Sequence, residues 1–340
     1  MILLITVLFL IFFISSISFF YFFIKIAHNY NFIDKPNKIS MHTNDIPTGS
    51  GIIFSILLIF FFLLMKVIEI NYNFIILTPN KYYLLLISIL SLGLISFYDD
   101  IKNIKIIYRF LSHFFVVLLS LPLFTYNDNY LIQVIPAKLL LIFFLFFFVY
   151  LINIYNFLDG SDGYVSINSL IVFLAFCMTY ADGSSLNFNF YLSFIMIPIL
   201  LGYLFLNKPK AKIFMGDSGS IVIGYLVGYF FCTLMLNGYW GVALAVILYP
   251  ISDVTLTIIR KMKNGHNPWD RLFDYFYLRA LASKDNDHKK IFFITLIHGI
   301  LNLIIIFLIV ILKYEMLCLI SLLLSIVKII LFNSMIKRRI

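Results

Sequence analysis

The chain predicts an all-α polytopic membrane protein with about eleven transmembrane helices, and three observations carry that expectation. Of its 340 residues, 62% are hydrophobic and only 12% are charged, with a mean hydropathy of +1.02. Soluble globular domains do not have that balance. Apolar stretches near the length that crosses a bilayer, about 20 residues, recur at 3–24, 50–70, 82–98, 106–124, 138–154, 164–181, 190–206, 219–236, 240–259, 291–311 and 315–332. Basic residues also divide unevenly between alternate loops. One set (25–49, 99–105, 155–163, 207–218, 260–290 and the C-terminal tail), with the adjoining Arg109, carries 20 of the 25 Lys and Arg. The opposite set carries Lys66, Lys81, Lys138 and Lys313, and Lys328 lies within the last span. The positive-inside rule then places the first set in the cytoplasm, with the N-terminus outside and the C-terminus cytoplasmic.

The spans follow in order. Residues 1–24 are longer than a signal-peptide core and lack a basic start and a small-residue cleavage site, so the first span is expected to be retained. Cys177, Cys232 and Cys318 all fall inside spans and form no CxxC, which predicts apolar packing rather than a ligand cluster. No internal repeat or low-complexity linker interrupts the pattern, and a single membrane domain, 1–340, accounts for the chain. The net charge of +9 is explained by orientation and by anionic lipid, with no call for nucleic acid.

The acidic residues are more informative. Twelve of the sixteen Asp and Glu lie in or near the cytoplasmic loops; Glu69, Asp128, Asp182 and Glu315 do not. Ionisable groups beside hydrocarbon are costly and tend to mark function. For Asp45, Asp285 and Asp287 simple loop polarity suffices. Elsewhere the acids recur beside glycine, lysine and amides at span ends. In "SFYDDIKNI", Asp99 and Asp100 close the third span, and adjacent carboxylates repel unless a cation or proton lies between them. They read as a solvating pair at a helix end or as a magnesium or phosphate site, with Lys102 and Lys105 close by. In "NIYNFLDGSDG", Asn156, Asp159 and Asp162 are spaced by three and would share a face on a helical turn, while Gly160 and Gly163 allow close approach of backbone or ligand. The D-x-D-x-D-G flavour of an EF-hand fails, because no twelfth-position Glu follows.

In "NKPKAKIFMGDSGS", three lysines precede a Gly-Asp-Ser-Gly-Ser turn that feeds the eighth span. Backbone N–H groups at such a turn, around Gly216, are suited to anions, and Asp217 adds a hard oxygen suited to Mg²⁺. The same letters in a chymotrypsin-like protease would need a β-barrel with His and Asp partners, and the Walker pattern is absent. The loop "RKMKNGHNPWDRLFDYFYLRAL", following Asp253, mixes Arg260, Lys261, Lys263, Arg271 and Arg279 with aromatics. It reads as an amphipathic interfacial helix or as an anion-binding lid. The stretch "NYNFIDKPNKISMHTNDIPTGSG" offers Asp34, Lys35, Lys38 and His42; His28, His113, His288 and His298 are given structural readings.

Together these segments resemble the polyprenyl-phosphate N-acetylhexosamine-1-phosphate transferases (glycosyltransferase family 4). The resemblance spans the chain and rests on "DKPNKISMH…IPTGSG", "YDDIKNI", "NIYNFLDGSDG" and "NKPKAKIFMGDSGS" in family order. It implies transfer of a sugar-1-phosphate from a UDP-sugar to undecaprenyl (polyprenyl) phosphate with release of UMP, at the bacterial inner membrane. By the same resemblance Asp217 is a Mg²⁺ ligand assisted by Asn156, with Mn²⁺ substituting. Asp99 and Asp100 orient or deprotonate the lipid phosphate, whose second pKa near 6 makes a strong base unnecessary. Asp159 and Asp162 bind the nucleotide and shape the site, and Lys102, Lys208 and Lys212 contact phosphate. Gly216, Arg271 and Arg279 complete the substrate-binding set. The implied partners are UDP-N-acetylhexosamine, the lipid phosphate and membrane lipids, with a homodimer left open.

The chain departs from the family pattern in one loop. Where the peptidoglycan and common-antigen branches have a histidine-rich motif, it reads "DRLFDYFYLRAL", with Tyr275 at the register of a histidine and Tyr277 and Arg279 following. "PISDVTLTIIRK", with Asp253 and Arg260, resembles the common-antigen and O-antigen branches. The expected donor is therefore a UDP-N-acetylhexosamine such as GlcNAc, or a 6-deoxy sugar such as QuiNAc, for lipopolysaccharide or another envelope polysaccharide. The alternatives are a phospho-MurNAc-pentapeptide transferase, an inactive family member and, in a different class, a secondary transporter. A transporter is expected to show repeated halves and midplane acids, whereas here the acids gather at one face.

Overall fold

The computed structural model describes residues 2–30, 32–36, 42–72, 79–102, 104–124, 136–181, 187–267, 274–283 and 287–336. Its helices are α1 Ile2–Ala27, α2 Ile52–Tyr72, α3 Pro79–Lys102, α4 Ile106–Ser120, α5 Ala137–Phe157, α6 Tyr164–Tyr180, α7 Phe188–Asn207, α8 Asp217–Leu236, α9 Trp240–Lys263, α10 Phe276–Leu281, α11 His288–Leu312 and α12 Cys318–Ser334. Among the described residues, ten helical stretches are long and apolar enough to cross a membrane, and the apolar α6 is shorter at 17 residues. Each of the eleven spans expected from the sequence therefore meets a helix, and the chain is an all-α polytopic membrane protein.

The sequence dictates which helix lies at the centre. α8, "DSGSIVIGYLVGYFFCTLML", is apolar around its whole circumference and is buried along nearly its whole length, as expected of a helix with no polar face to give to solvent. It packs against α5, α3 and α2, while α6 packs on α7 and α11, α1 on α7, and α9 on α12. Close approach at its N-terminal end depends on paired glycines. A Cβ at Gly51 would lie 1.9 Å from the Gly219 nitrogen, so the start of α2 and the first turn of α8 touch backbone to backbone, as small residues permit within membranes.

Buried hydroxyls also join helices. Ser88 Oγ lies 3.0 Å from Ser120 Oγ, which lies 2.8 Å from Tyr225 Oη, linking α3, α4 and α8. The perimeter is different. Leu94, Phe143, Phe146, Leu323 and Ile330 are among the outward-facing apolar residues, and in a membrane these meet lipid rather than water. The three cysteines are free, two of them buried, in keeping with a packing role.

One feature not expected from the sequence is a two-stranded antiparallel pair, β1 Ile33–Asp34 and β2 Ile46–Pro47, with Ile33 opposite Pro47. It extends the structure beyond the helix ends. Phe214 N donates to Pro47 O (2.7 Å) and Gly51 N to Met215 O (2.8 Å), which ties this hairpin to the segment leading into α8. The hairpin, the ends of α3, α5, α7 and α9, and the starts of α4, α8 and α11 thereby gather at one end of the bundle.

Candidate active site

Four of these termini bring polar side chains together. Asp99 is in the last turn of α3, Arg109 in the first turn of α4, Asn156 at the end of α5 and Asp217 at the first position of α8. Arg109 lies between the two acids, its Nη1 2.8 Å from Asp99 Oδ2 and its Nη2 2.6 Å from Asp217 Oδ2. A planar guanidinium suits two anions presented side by side. With its amide oxygen turned to the guanidinium, Asn156 accepts from Arg109 Nη2 (2.9 Å) and donates to Asp217 Oδ1 (3.1 Å). Asp99 Oδ1 also accepts from Ile104 N at 2.5 Å, which fixes the chain leaving α3.

In the sequence Arg109 stands out only as a charge beside a loop. Its position nine residues after Asp100 returns it, across a tight turn, to the face where α3 ends. Its side chain is 15% exposed and that of Asp217 21%, so the pair is open enough for an incoming group to reach.

Asp100 is placed differently from its neighbour. Its Oδ1 accepts from Asp217 N (2.9 Å) and its Oδ2 from Ser218 N (3.1 Å). It therefore caps the N-terminus of α8 from another helix and supplies the negative charge that the helix dipole favours there. The sequence leads one to expect that the glycine turn offers these N–H groups to a substrate anion. The structure corrects this, because the Asp100 carboxylate already holds them. Gly216 serves the same contact. It has φ +70°, and a Cβ on it would come within 2.7 Å of Asp100 Oδ2, so only glycine admits the carboxylate.

The spacing of Asn156, Asp159 and Asp162 predicts one shared helical face. α5 instead ends at Phe157, and the turn that follows carries Asp162 away from the other two. Asp159 sits partly buried near the cluster; burial first, then the charges of Asp217 and Asp100, push its carboxyl up to about 8. Asp162 turns away to accept from Ala211 N (2.9 Å), and its Oδ1 lies 3.4 Å from His288 Nδ1. That histidine therefore has a specific partner at the start of α11. Asn207 braces the same turn: its Oδ1 accepts from Gly163 N (3.0 Å) and Ser166 Oγ (2.9 Å), while its Nδ2 donates to Ile213 O (2.8 Å). The two polar connectors, 158–163 and 208–216, thus form one unit.

Lys102, Lys208 and Lys212 are exposed at this end and stand outside the Asp99–Arg109–Asp217 bridge, with Lys208 Nζ over the Phe205 ring at 4.9 Å. Arg279 lies on α10, partly buried and close enough to Arg260 for their charges to interact. Arg271, Lys38, Asp128, Asp182 and Asp285 fall outside the described residues. The amphipathic helix expected near 260–281 reduces, among the described residues, to the six-residue α10. Its Tyr277, Leu278, Ala280 and Leu281 are buried. Tyr277 stacks on Tyr164 at 4.0 Å and its hydroxyl donates to Leu158 O at 3.0 Å, so α10 packs under the 158–163 turn.

The site consists of oxygen donors and one guanidinium, with no histidine or thiol in the central bridge. Among the described residues no group of three His, Cys, Asp or Glu side chains converges as a ready-made metal cage. Hard oxygen donors fit Mg²⁺, which keeps waters and takes one or two carboxylates together with substrate phosphates. Asp217, the more exposed of the two bridged acids, is suited to hold it, with Asn156 beside it.

A polytopic helical protein with acids, an amide and an arginine gathered at the helix ends on one face is thereby defined. Residues 82–235, which contain every member of the central cluster, match the family described as glycosyl transferase family 4. An undecaprenyl-phosphate alpha-N-acetylglucosaminyl 1-phosphate transferase of Thermotoga maritima is 26% identical over 72% of this chain and 70% of its own length. A phospho-N-acetylmuramoyl-pentapeptide-transferase of Listeria monocytogenes is 25% identical over 82% of each. A decaprenyl-phosphate N-acetylglucosaminephosphotransferase of Mycolicibacterium smegmatis is 31% identical over 45% of this chain and 43% of its own length. Over this central stretch the chain is similar to glycosyl transferase family 4.

Proposed function

We propose that the protein transfers an N-acetylhexosamine-1-phosphate from a UDP-sugar to undecaprenyl phosphate at the cytoplasmic leaflet of a bacterial inner membrane. An oxygen of the lipid phosphate bonds to the sugar-bearing phosphorus of the donor. The bond from that phosphorus to the bridging oxygen breaks, and UMP leaves with that oxygen. The observation that carries this reading is the Arg109 bridge between Asp99 and Asp217, with Asn156 closing it, at the mouth where the hairpin and two polar connectors meet. Phosphoryl transfer asks a protein mainly to position anions and balance their charge. The basic residues at this end support a cytoplasmic location for it.

In this reading Asp217 and Asn156 hold Mg²⁺, which offsets the charge of the donor's pyrophosphate when bound. Arg109 leaves its two carboxylates in part to take a phosphate oxygen, for which a guanidinium is well shaped. Asp99 then faces the lipid phosphate and orients it or accepts its last proton. Asp100 keeps Asp217 in place through the backbone of α8. Asp159 lines the nucleotide side, Asp162 holds the 208–216 segment against it, and Lys102, Lys208, Lys212, Arg271 and Arg279 meet phosphates from the rim.

Tyr275, at the register of a histidine in the histidine-rich branches, is buried, and so is Tyr277 after it. This favours a simple UDP-N-acetylhexosamine, GlcNAc or a 6-deoxy analogue, for O-antigen or other envelope polysaccharide. The match to the Listeria protein over 82% of the chain favours a second reading, with UDP-MurNAc-pentapeptide as donor. Purified protein given undecaprenyl phosphate, Mg²⁺ and each donor in turn separates them. The expected result is lipid-linked product from UDP-N-acetylhexosamine and none from the muramyl-pentapeptide donor; the reverse pattern establishes the second reading.

A further inference from the structure

The last transmembrane helix carries a lysine that the proposed reaction does not use. Lys328 is 2% exposed, and its Nζ has no hydrogen-bond partner among the described residues. A cation at that depth on a membrane helix is costly and normally has a compensating partner. Here the nearest compensation is the face of Tyr249, whose ring centroid is 3.5 Å from Nζ; the Tyr164 ring is 5.3 Å away. An ammonium on a desolvated aromatic face is attracted by the ring quadrupole. The same Tyr249 donates its hydroxyl to Asp253 Oδ2 at 2.8 Å. Asp253 is wholly buried, and its charge and that of Lys328 act on each other. One tyrosine thus lies between a buried lysine and a buried aspartate and contacts both.

From Asp253 the connection runs to the active site. Asp253 Oδ1 accepts from Phe276 N at 2.9 Å, which caps α10 from α9. The Tyr277 ring stacks on Tyr164, whose hydroxyl lies 2.6 Å from that of Tyr249. The Tyr277 hydroxyl reaches the Leu158 and Phe157 carbonyls at 3.0 and 3.3 Å, at the start of the turn that carries Asp159. A Cβ on Gly160 would come within 2.8 Å of that hydroxyl, so the fit is tight.

We propose that Lys328, Tyr249 and Asp253 form a buried positioning unit that holds α10 and, through Tyr277, sets the Asp159 turn in its working place. Lys328 is a positioning residue: it touches no reacting group and acts by keeping the Asp253 charge compensated where it caps α10. The assignment lies outside the 82–235 stretch that matches the family, and its catalytic consequence rests on the transferase reading above.

The test uses the full-length protein in lipid nanodiscs and compares wild type, Lys328→Met, Asp253→Asn and the double variant. Amide hydrogen exchange over 157–163 and 274–281, measured without substrates, reads the positioning directly and is independent of the reaction. In Lys328→Met, exchange in both segments is expected to rise about tenfold while α8 is unchanged. The kcat of UMP release should fall about tenfold with the donor KM within about twofold, as expected for displaced rather than missing groups. The double variant should recover most of both losses, because the introduced amide oxygen still caps α10 and no charge is left uncompensated. If Lys328→Met does not fold, recovery of folded protein in the double variant supports the unit, and its failure to recover overturns it. Unchanged exchange in Lys328→Met, a kcat that does not follow the exchange, or losses that simply add in the double variant also overturn it. Absence of UMP release from wild type would instead count against the transferase reading and leave the exchange result to decide the unit.

Discussion

Two clusters of charged side chains lie toward the same end of this bundle, and they are built for opposite purposes. Around Arg109, Asp99 and Asp217 are held by a guanidinium that is itself 15% exposed, and Asp217 is the more open of the two acids. Around Lys328, Asp253 is wholly enclosed, capped onto backbone and sealed by tyrosines. The first arrangement can exchange partners: an arginine shared between two acids can turn to a phosphate at modest cost, because water is close enough to screen what it leaves. The second cannot, since a partner removed there leaves a bare charge in a dry interior. Exposure, more than the type of residue, separates a site from a brace.

Substitutions on each side test whether that contrast holds. The largest effect is expected for Asp217→Ala, with initial rates of UMP release falling about a thousandfold, or about 4 kcal/mol of barrier. Near-normal rates there would remove Asp217 from the site. Arg109→Met is expected to lower the rate about a hundredfold, with a raised KM for both phosphate substrates in steady-state assays. A loss confined to stability, with normal kinetics, would make Arg109 a purely structural residue. Asp100→Asn weakens the cap on α8. It should cost about 1 kcal/mol of stability, read as a lower melting temperature in detergent, together with about a tenfold loss of rate through the displaced Asp217. Asp162→Asn keeps an acceptor for Ala211 N and is expected to change the rate only about threefold. The smallest effect belongs to Lys208→Met, whose exposed ammonium is screened by salt; the rate should change less than about twofold at physiological ionic strength.

The fold is legible in the sequence because a membrane span is a composition signal. Eleven apolar stretches correspond to eleven helices, and the uneven lysines and arginines suggest an orientation. The candidate site is legible as a set of residues but not as a set of roles. Asp99 and Asp100 are adjacent and look equivalent, and only their positions at the end of α3 send one to Arg109 and the other to the α8 backbone. The regular spacing of Asn156, Asp159 and Asp162 suggests a shared face, which assumes a helix that in fact stops at Phe157. The three-dimensional return of α4 that carries Arg109 inward has no local signal. Nor does the pairing of 33–34 with 46–47, which is tied to residues near 214. Lys328 is visible only as a charge inside a span, with its partner Asp253 seventy-five positions away in the chain.

The products formed by the wild-type protein test the central claim most directly. Purified in nanodiscs with undecaprenyl phosphate and a UDP-N-acetylhexosamine, it should release one UMP for every lipid-linked sugar phosphate. Both should disappear on chelation of divalent cations and return with Mg²⁺. Folded protein that forms no lipid-linked product with any UDP-sugar, or that turns over equally well after chelation, would contradict the reading.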